Sequence, residues 1–151
     1  MKKSILFIAL LIGVASCSST QSTLKNTDDT APNLQLSKSN TFVITEYSKD
    51  KKYGYDKEYP INIFYNGTKN ETINQGRFLN ALAGPQGEKI TYTKLESCCP
   101  FPTKRSELGA GFLDVYKLEW QGQKKPLILY LNIYEKGILM VPMGLTLKEN
   151  E

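Results

Sequence analysis

Two adjacent cysteines, in Ser97-Cys98-Cys99-Pro100-Phe101-Pro102, are the residues of this chain whose types and spacing best suit chemistry. A trans peptide holds neighbouring Cα atoms ~3.8 Å apart. Most disulfides span ~4.4–6.8 Å, so a bridge between Cys98 and Cys99 would be strained and more reducible than a structural one. The alternatives are two thiols, at least one buried as a small hydrophobe, a redox-active pair, a metal-binding pair or an intermolecular bridge. Redox chemistry lacks its usual supports here, because neither a CxxC spacing nor a helix N-terminus is present to lower a thiol pKa. Pro100 biases Cys99 toward extended backbone, and Phe101-Pro102 prolongs that as polyproline.

A second group is Tyr53-Gly54-Tyr55-Asp56-Lys57-Glu58-Tyr59-Pro60. Tyrosine presents an apolar face with a polar tip, so Tyr53, Tyr55 and Tyr59 are candidates for a surface that receives a glycan or peptide. The alternative is a turn-rich connection whose tyrosines cover a sheet. Glu96, Asp114 and Glu119 could supply paired carboxylates, but nothing in the sequence brings two of them together. Lys104-Arg105 and Glu107 precede Leu108-Gly109-Ala110-Gly111, which matches no phosphate-loop spacing and reads as a flexible hairpin connection.

The chain contains no histidine, which removes imidazole zinc sites, Ser-His-Asp relays and Cys-His pairs. Carboxylates, Lys, Tyr and Cys remain as possible acids, bases or nucleophiles. No catalytic residue, metal ligand set or cofactor motif emerges, and the sequence leans against an enzyme.

These residues must be positioned by a strand-rich domain. Residues 41–47 are β-rich, and 61–65 read as a second strand before the Asn66-Gly67 turn. Phe78, Leu79 and Leu82 fall at helical spacing within 74–83, which Gly84-Pro85 terminates. Strands follow over 89–95, 111–120 and 127–134. In the second of these Tyr116, Leu118 and Trp120 share one face, and in the third Leu127, Leu129, Leu131 and Ile133 do. Glu135-Lys136-Gly137 reads as a hairpin turn into 138–141, which Pro142 ends. The expected fold class is α+β, an antiparallel sheet of about five or six strands with one short helix packed on a face. Residues 41–151 form a single domain, and no internal repeat is visible. The preceding stretch, rich in Ser, Thr, Asn and Asp, reads as a flexible tether over 17–40.

The first sixteen residues carry an address. Lys2 and Lys3 precede an apolar core, and small residues close it at Val14-Ala15-Ser16-Cys17, as in a secretory signal peptide. The core is about ten residues, short of the roughly twenty a membrane-spanning helix needs. The Val-Ala-Ser-Cys sequence resembles the lipobox of bacterial lipoproteins. That resemblance implies cleavage after residue 16 and lipidation of Cys17 by acyl chains such as palmitate, hence a membrane partner through the anchor. Cleavage also removes Lys2 and Lys3, reducing the net charge of +4 by two. No basic cluster remains to argue for nucleic acid. No acidic run follows Cys17, unlike the surface-export signals of related lipoproteins, so the expected location is the outer membrane, facing the periplasm.

Further blocks extend the resemblance. Asp29-Thr30-Ala31 resembles the acceptor for O-glycosylation in exported flavobacterial proteins, which makes Thr30 a candidate acceptor. Tyr53-Gly54-Tyr55-Asp56, Phe78-Leu79-Asn80-Ala81-Leu82-Ala83-Gly84-Pro85, Cys98-Cys99-Pro100-Phe101-Pro102 and Tyr134-Glu135-Lys136-Gly137 together resemble a small family of exported flavobacterial lipoproteins. The resemblance covers most of the mature domain and brings no functional residue with it. Some members carry the name of the aldolase that makes 3-deoxy-octulosonate phosphate. That enzyme is a cytosolic TIM barrel, an architecture of ~250 residues, whereas this chain is exported, alternates like an antiparallel sheet and lacks histidine. The expectation is therefore an envelope lipoprotein serving as a non-catalytic binding or accessory module, with an envelope protein or a small molecule as partner. The alternative is a small enzyme or thiol-redox protein using the Cys98-Cys99 loop.

Overall fold

The computed structural model describes residues 22–66 and 71–149. The signal segment 1–16 and the lipidation residue Cys17 lie outside them. The elements run β1 (Glu46–Tyr47), β2 (Ile61–Asn62), α1 (Glu71–Leu79), β3 (Leu82–Ala83), β4 (Thr91–Pro102), β5 (Ala110–Glu119), β6 (Leu127–Asn132), β7 (Met140–Val141) and β8 (Thr146–Leu147). The class is α+β.

The largest sheet grows from the two segments with the cleanest alternation. β5 and β6 pair antiparallel with Tyr116 opposite Leu129 and Asp114 opposite Leu131. Residues two apart share a face, so Tyr116, Leu118, Leu129 and Leu131 project together and are buried. Phe78 and Leu79 of α1, with Phe42 and Ile61, complete that core. The opposite face is covered more thinly, by Leu24, Phe101 and Leu113. β4 flanks β5 antiparallel and β2 flanks β6 parallel, giving the order β2-β6-β5-β4.

One sheet of five or six antiparallel strands is therefore not what forms. The largest sheet has four strands and is mixed, while β1-β7 and β3-β8 make separate two-stranded pairs. The predicted strand over 41–47 contributes only Glu46–Tyr47 and an isolated bridge between Leu36 and Phe42. The predicted hairpin at Glu135-Lys136-Gly137 is absent, and β7 pairs parallel with β1 instead of turning back on β6. Gly137 explains why: a Cβ there would lie 2.8 Å from the Asn26 carbonyl oxygen and 2.7 Å from Asn62 Nδ2. The glycine lets the chain pass beneath the N-terminal segment; it does not reverse it.

That segment is also not a tether over residues 22–40. Leu24 and Ala31 are buried. The Lys25 N–H donates to the Glu58 carbonyl and the Asp28 N–H to that of Lys136, both at 2.9 Å. Asn26 Nδ2 donates to the Pro60 carbonyl at 2.6 Å. Arg105 completes the attachment, with Nη2 2.8 Å from Asp29 Oδ1, Nη1 2.8 Å from Glu135 Oε2 and its guanidinium 4.8 Å from the Phe64 ring centroid. The loop read as a flexible connection thus carries the clamp. Average polarity suggested a solvated linker, but these polar groups bond specifically to backbone and to one cation.

Among the described residues no helix is long and apolar enough to cross a membrane.

Candidate functional site

Cys98 and Cys99 form a vicinal disulfide, with Cα atoms 3.7 Å apart. The pair sits in β4, an edge strand with β5 on one side. Cys98 lies opposite Leu113, and the register shifts between Cys98 and Phe101. Cys99 has φ 58°, in the left-handed region and not in the extended conformation that Pro100 favours. Closing a ring between neighbours turns the chain, and the bulge absorbs the turn. Bulges and prolines suit an exposed edge, since both discourage a further strand from pairing there. Alkylation of the folded protein without reductant is expected to label neither cysteine, and alkylation after reduction to label both. Two thiols counted by mass before reduction would contradict the bridge.

On the opposite face of β4, next to this bridge, a partly buried polar network forms around Asp114. Ser97 lies opposite Asp114 and Lys94 opposite Tyr116, so both side chains reach the carboxylate. Lys94 Nζ is 2.7 Å from Asp114 Oδ1. The Ser97 hydroxyl donates to the same oxygen, and Gln75 of α1 donates its amide to Oδ2. The Tyr116 hydroxyl in turn donates to Gln75 Oε1 at 2.5 Å. A substrate proton would have to displace one of these donors. Glu96 lies opposite Val115 on the other face, and Glu119 pairs with Lys117 at 2.9 Å. The three acids do not converge. Among the described residues no group of three or more Cys, Asp or Glu side chains is arranged to hold a metal.

The tyrosines divide. Tyr53 is 2% exposed; its hydroxyl donates to the Ile138 carbonyl at 3.3 Å and accepts the Met140 N–H at 3.1 Å. The Tyr55 hydroxyl donates to the Met143 carbonyl at 2.6 Å. Both rings pin the 50s loop to the C-terminal segment, and Tyr59 is half-buried. Tyr53 therefore belongs to a packed connection and not to a surface, while Tyr55 and Tyr59 remain half-buried. Gly54 shows how tightly it packs: φ is +80° and a Cβ would meet Ile61 Cδ1 at 2.8 Å.

Burial pushes the Tyr53 hydroxyl above its ordinary value and Tyr55 up to about 12. Burial, then the nearby Asp114 carboxylate and Tyr92, push Tyr116 up to about 12. The neutral phenols belong to the folded state, so their contribution is complete below the ordinary value of 10 and is lost as pH rises through the folded values. Stability measured by urea unfolding is expected to fall as pH rises above about 10. Stability that stays flat from there to pH 12 would contradict this.

Thr30 is exposed, and its hydroxyl and amide both bond Asp28 Oδ1, at 2.6 and 2.8 Å. These bonds hold the Asp28 carboxyl below its ordinary value. Asp29 is engaged by Arg105.

A groove of about 740 Å³ lies elsewhere, between residues 37–44, α1 and residues 147–149. Its first wall is a turn closed by the Ser37 N–H on the Thr41 carbonyl at 2.8 Å. Asn40 occupies the left-handed position at φ 60°, which asparagine tolerates better than most residues. The hydroxyls of Ser37, Ser39 and Thr41 cluster there. The second wall is α1, which aims Gln75 at the sheet and places Ile73 and Arg77 along the groove. Arg77 is tightly held: Nε donates to Asn40 Oδ1 at 3.2 Å and Nη1 to Asn74 Oδ1 at 3.0 Å, and the guanidinium sits 5.2 Å from the Tyr65 ring centroid. In sequence Arg77 reads only as a basic residue in a helix's last turn. Nothing there shows that a turn forty residues upstream folds against it.

No family model, curated protein or solved structure matches this chain.

Proposed function

We propose that this chain is a lipid-anchored envelope lipoprotein whose domain is a non-catalytic binding module, with the groove beside α1 as its binding site. The observation that carries this reading is the groove's lining. Its volume falls within the roughly 300–1,000 Å³ of small-molecule sites, and it combines hydroxyls, amides, one arginine and apolar surface. Glu96, Asp114, Cys98 and Cys99, the groups best suited to chemistry, are not among the residues that line it. The anchor rests on the Val14-Ala15-Ser16-Cys17 sequence; the lack of an acidic run after Cys17 supports outer-membrane attachment facing the periplasm, and the blocks beginning at Tyr53, Phe78, Cys98 and Tyr134 support kinship with exported flavobacterial lipoproteins. Acyl chains at Cys17 would hold it there, each buried methylene contributing ~0.8 kcal/mol. Cys17→Ala is expected to abolish metabolic labelling with palmitate, and persistent labelling would contradict the anchor.

The binding reading is tested in intact cells by a photoreactive side chain in place of Ser39, at the groove, or of Lys125, in the exposed turn after β5. Irradiation is expected to produce a discrete adduct at position 39 that is missing at 125. Identical profiles from both positions would count against the groove. A small enzyme or thiol-redox protein is the second reading, favoured by the disulfide standing beside the Ser97, Lys94 and Asp114 cluster. Cyclic reduction and reoxidation of Cys98 and Cys99 during growth would favour it.

A further inference from the structure

We propose that the groove beside α1 takes a carboxylated saccharide, with Arg77 receiving the carboxylate; this rests on the groove being a binding site. Arg77 is the carrying observation. Its guanidinium meets two neutral amide oxygens and an aromatic ring, and among the described residues no carboxylate pairs with it. Neutral acceptors fix a guanidinium without cancelling its charge. They leave Nη2 and the second Nη1 proton for a ligand, and a planar fork of this kind matches a carboxylate. Arg105 provides the contrast within this chain, because Asp29 and Glu135 already neutralise it.

The charge at the groove argues for one carboxylate seated at Arg77, with any others of the ligand left in solvent. Beyond Arg77, only Lys148 and Glu149 are charged, and these neighbours offset each other. A phosphate dianion would call for more cationic partners than one guanidinium. The remaining lining argues for hydroxyl groups on the ligand. Ser39 and Thr41 offer hydroxyls, and Asn80 accepts from the Tyr92 hydroxyl through Oδ1 at 3.1 Å, which leaves its NH2 group to donate. Val43 and Ile73, 47% and 42% exposed, supply apolar surface of the kind that covers the C–H face of a sugar ring. A uronic-acid type saccharide meets all three requirements at once.

The test is calorimetric titration of the intact lipoprotein in detergent with trigalacturonate, with galactotriose as its neutral counterpart, and with an acidic tripeptide. Trigalacturonate is expected to bind at least about tenfold more tightly than galactotriose. Arg77→Gln should weaken it by at least about tenfold. Because Arg77 also holds Asn40 and Asn74, Val43→Glu provides a second variant, at a position 47% exposed where a longer side chain can reach solvent. It should weaken trigalacturonate by a larger factor than galactotriose, because the added carboxylate repels only the charged ligand while both lose the apolar contact. Added salt should weaken the trigalacturonate complex selectively. Equal affinity for the two trisaccharides, or tighter binding of the tripeptide, would overturn the ligand class while the binding reading stands. Absence of trigalacturonate binding at millimolar concentration would overturn the assignment too, and the crosslinking comparison would then judge the groove independently.

Discussion

Phe78→Ala is expected to destabilise the domain by about 3–5 kcal/mol, the range for emptying a buried aromatic position. Phe78 is fully buried and belongs to the core that joins α1 to the sheet. The side chains of that core come from α1, β5, β6 and the 42–44 segment among others, so no single element can shift to refill the space. The helix has nine residues, too few to persist in water without packing. Losing the ring should therefore loosen α1 itself, and with it the wall that carries Ile73 and Arg77. Urea unfolding should show a lower midpoint at an unchanged slope. Leu108→Ala is the control, because that side chain is 88% exposed, and its effect should stay within about 0.5 kcal/mol. A Phe78→Ala loss as small as that of Leu108→Ala would contradict the packing described.

Asp114→Ala is expected to cost about 2–4 kcal/mol, for a different reason. The lost contacts matter less than what they leave behind. Lys94 is largely exposed and can turn to water, and Ser97 is exposed too. Gln75 cannot do so: it is 2% exposed, its amide loses its acceptor, and its other end is committed to Tyr116. An unsatisfied buried donor carries its full desolvation penalty. Asp114→Asn keeps one carbonyl for Gln75, so its cost should be about half that of the alanine. Unfolding free energies measured on both variants check this. Equal costs for the two would place the penalty in charge and not in the orphaned amide.

The parts of the fold that could be read from sequence were those with enough residues to show a period. β5 and β6 alternate over six residues or more, and Tyr116, Leu118, Leu129 and Leu131 are buried on the face that alternation assigns. Phe78 and Leu79 likewise fall where helical spacing puts them. β1, β2, β3, β7 and β8 have two residues each, and two residues carry no period. β4 outran its expected end near Leu95 because Pro100 and Pro102 are tolerated on an edge, where no second ladder needs their missing N–H.

Site geometry was less legible than fold, since it depends on register and on distant segments. Asp114 read as one of three separate acids, and Lys94 and Ser97 both reach it only because a bulge between Lys94 and Glu96 returns Ser97 to the same face. Tyr53 and Tyr55 offered polar tips that suggested a surface, yet the backbone of 138–143 takes both hydroxyls. The groove draws on three stretches far apart in the chain, and Arg77 gains its meaning from Asn40. No local motif encodes that encounter.

The groove beside α1 is expected to be occupied in the envelope, with Arg77 as the group its ligand finds there. Photocrosslinking from position 39 in intact cells, with and without Val43→Glu, measures this most directly. The predicted result is a discrete carbohydrate-mass adduct that disappears when Val43 is replaced by glutamate and the domain remains folded. An adduct profile identical with and without the substitution, or identical to that from position 125, would contradict it.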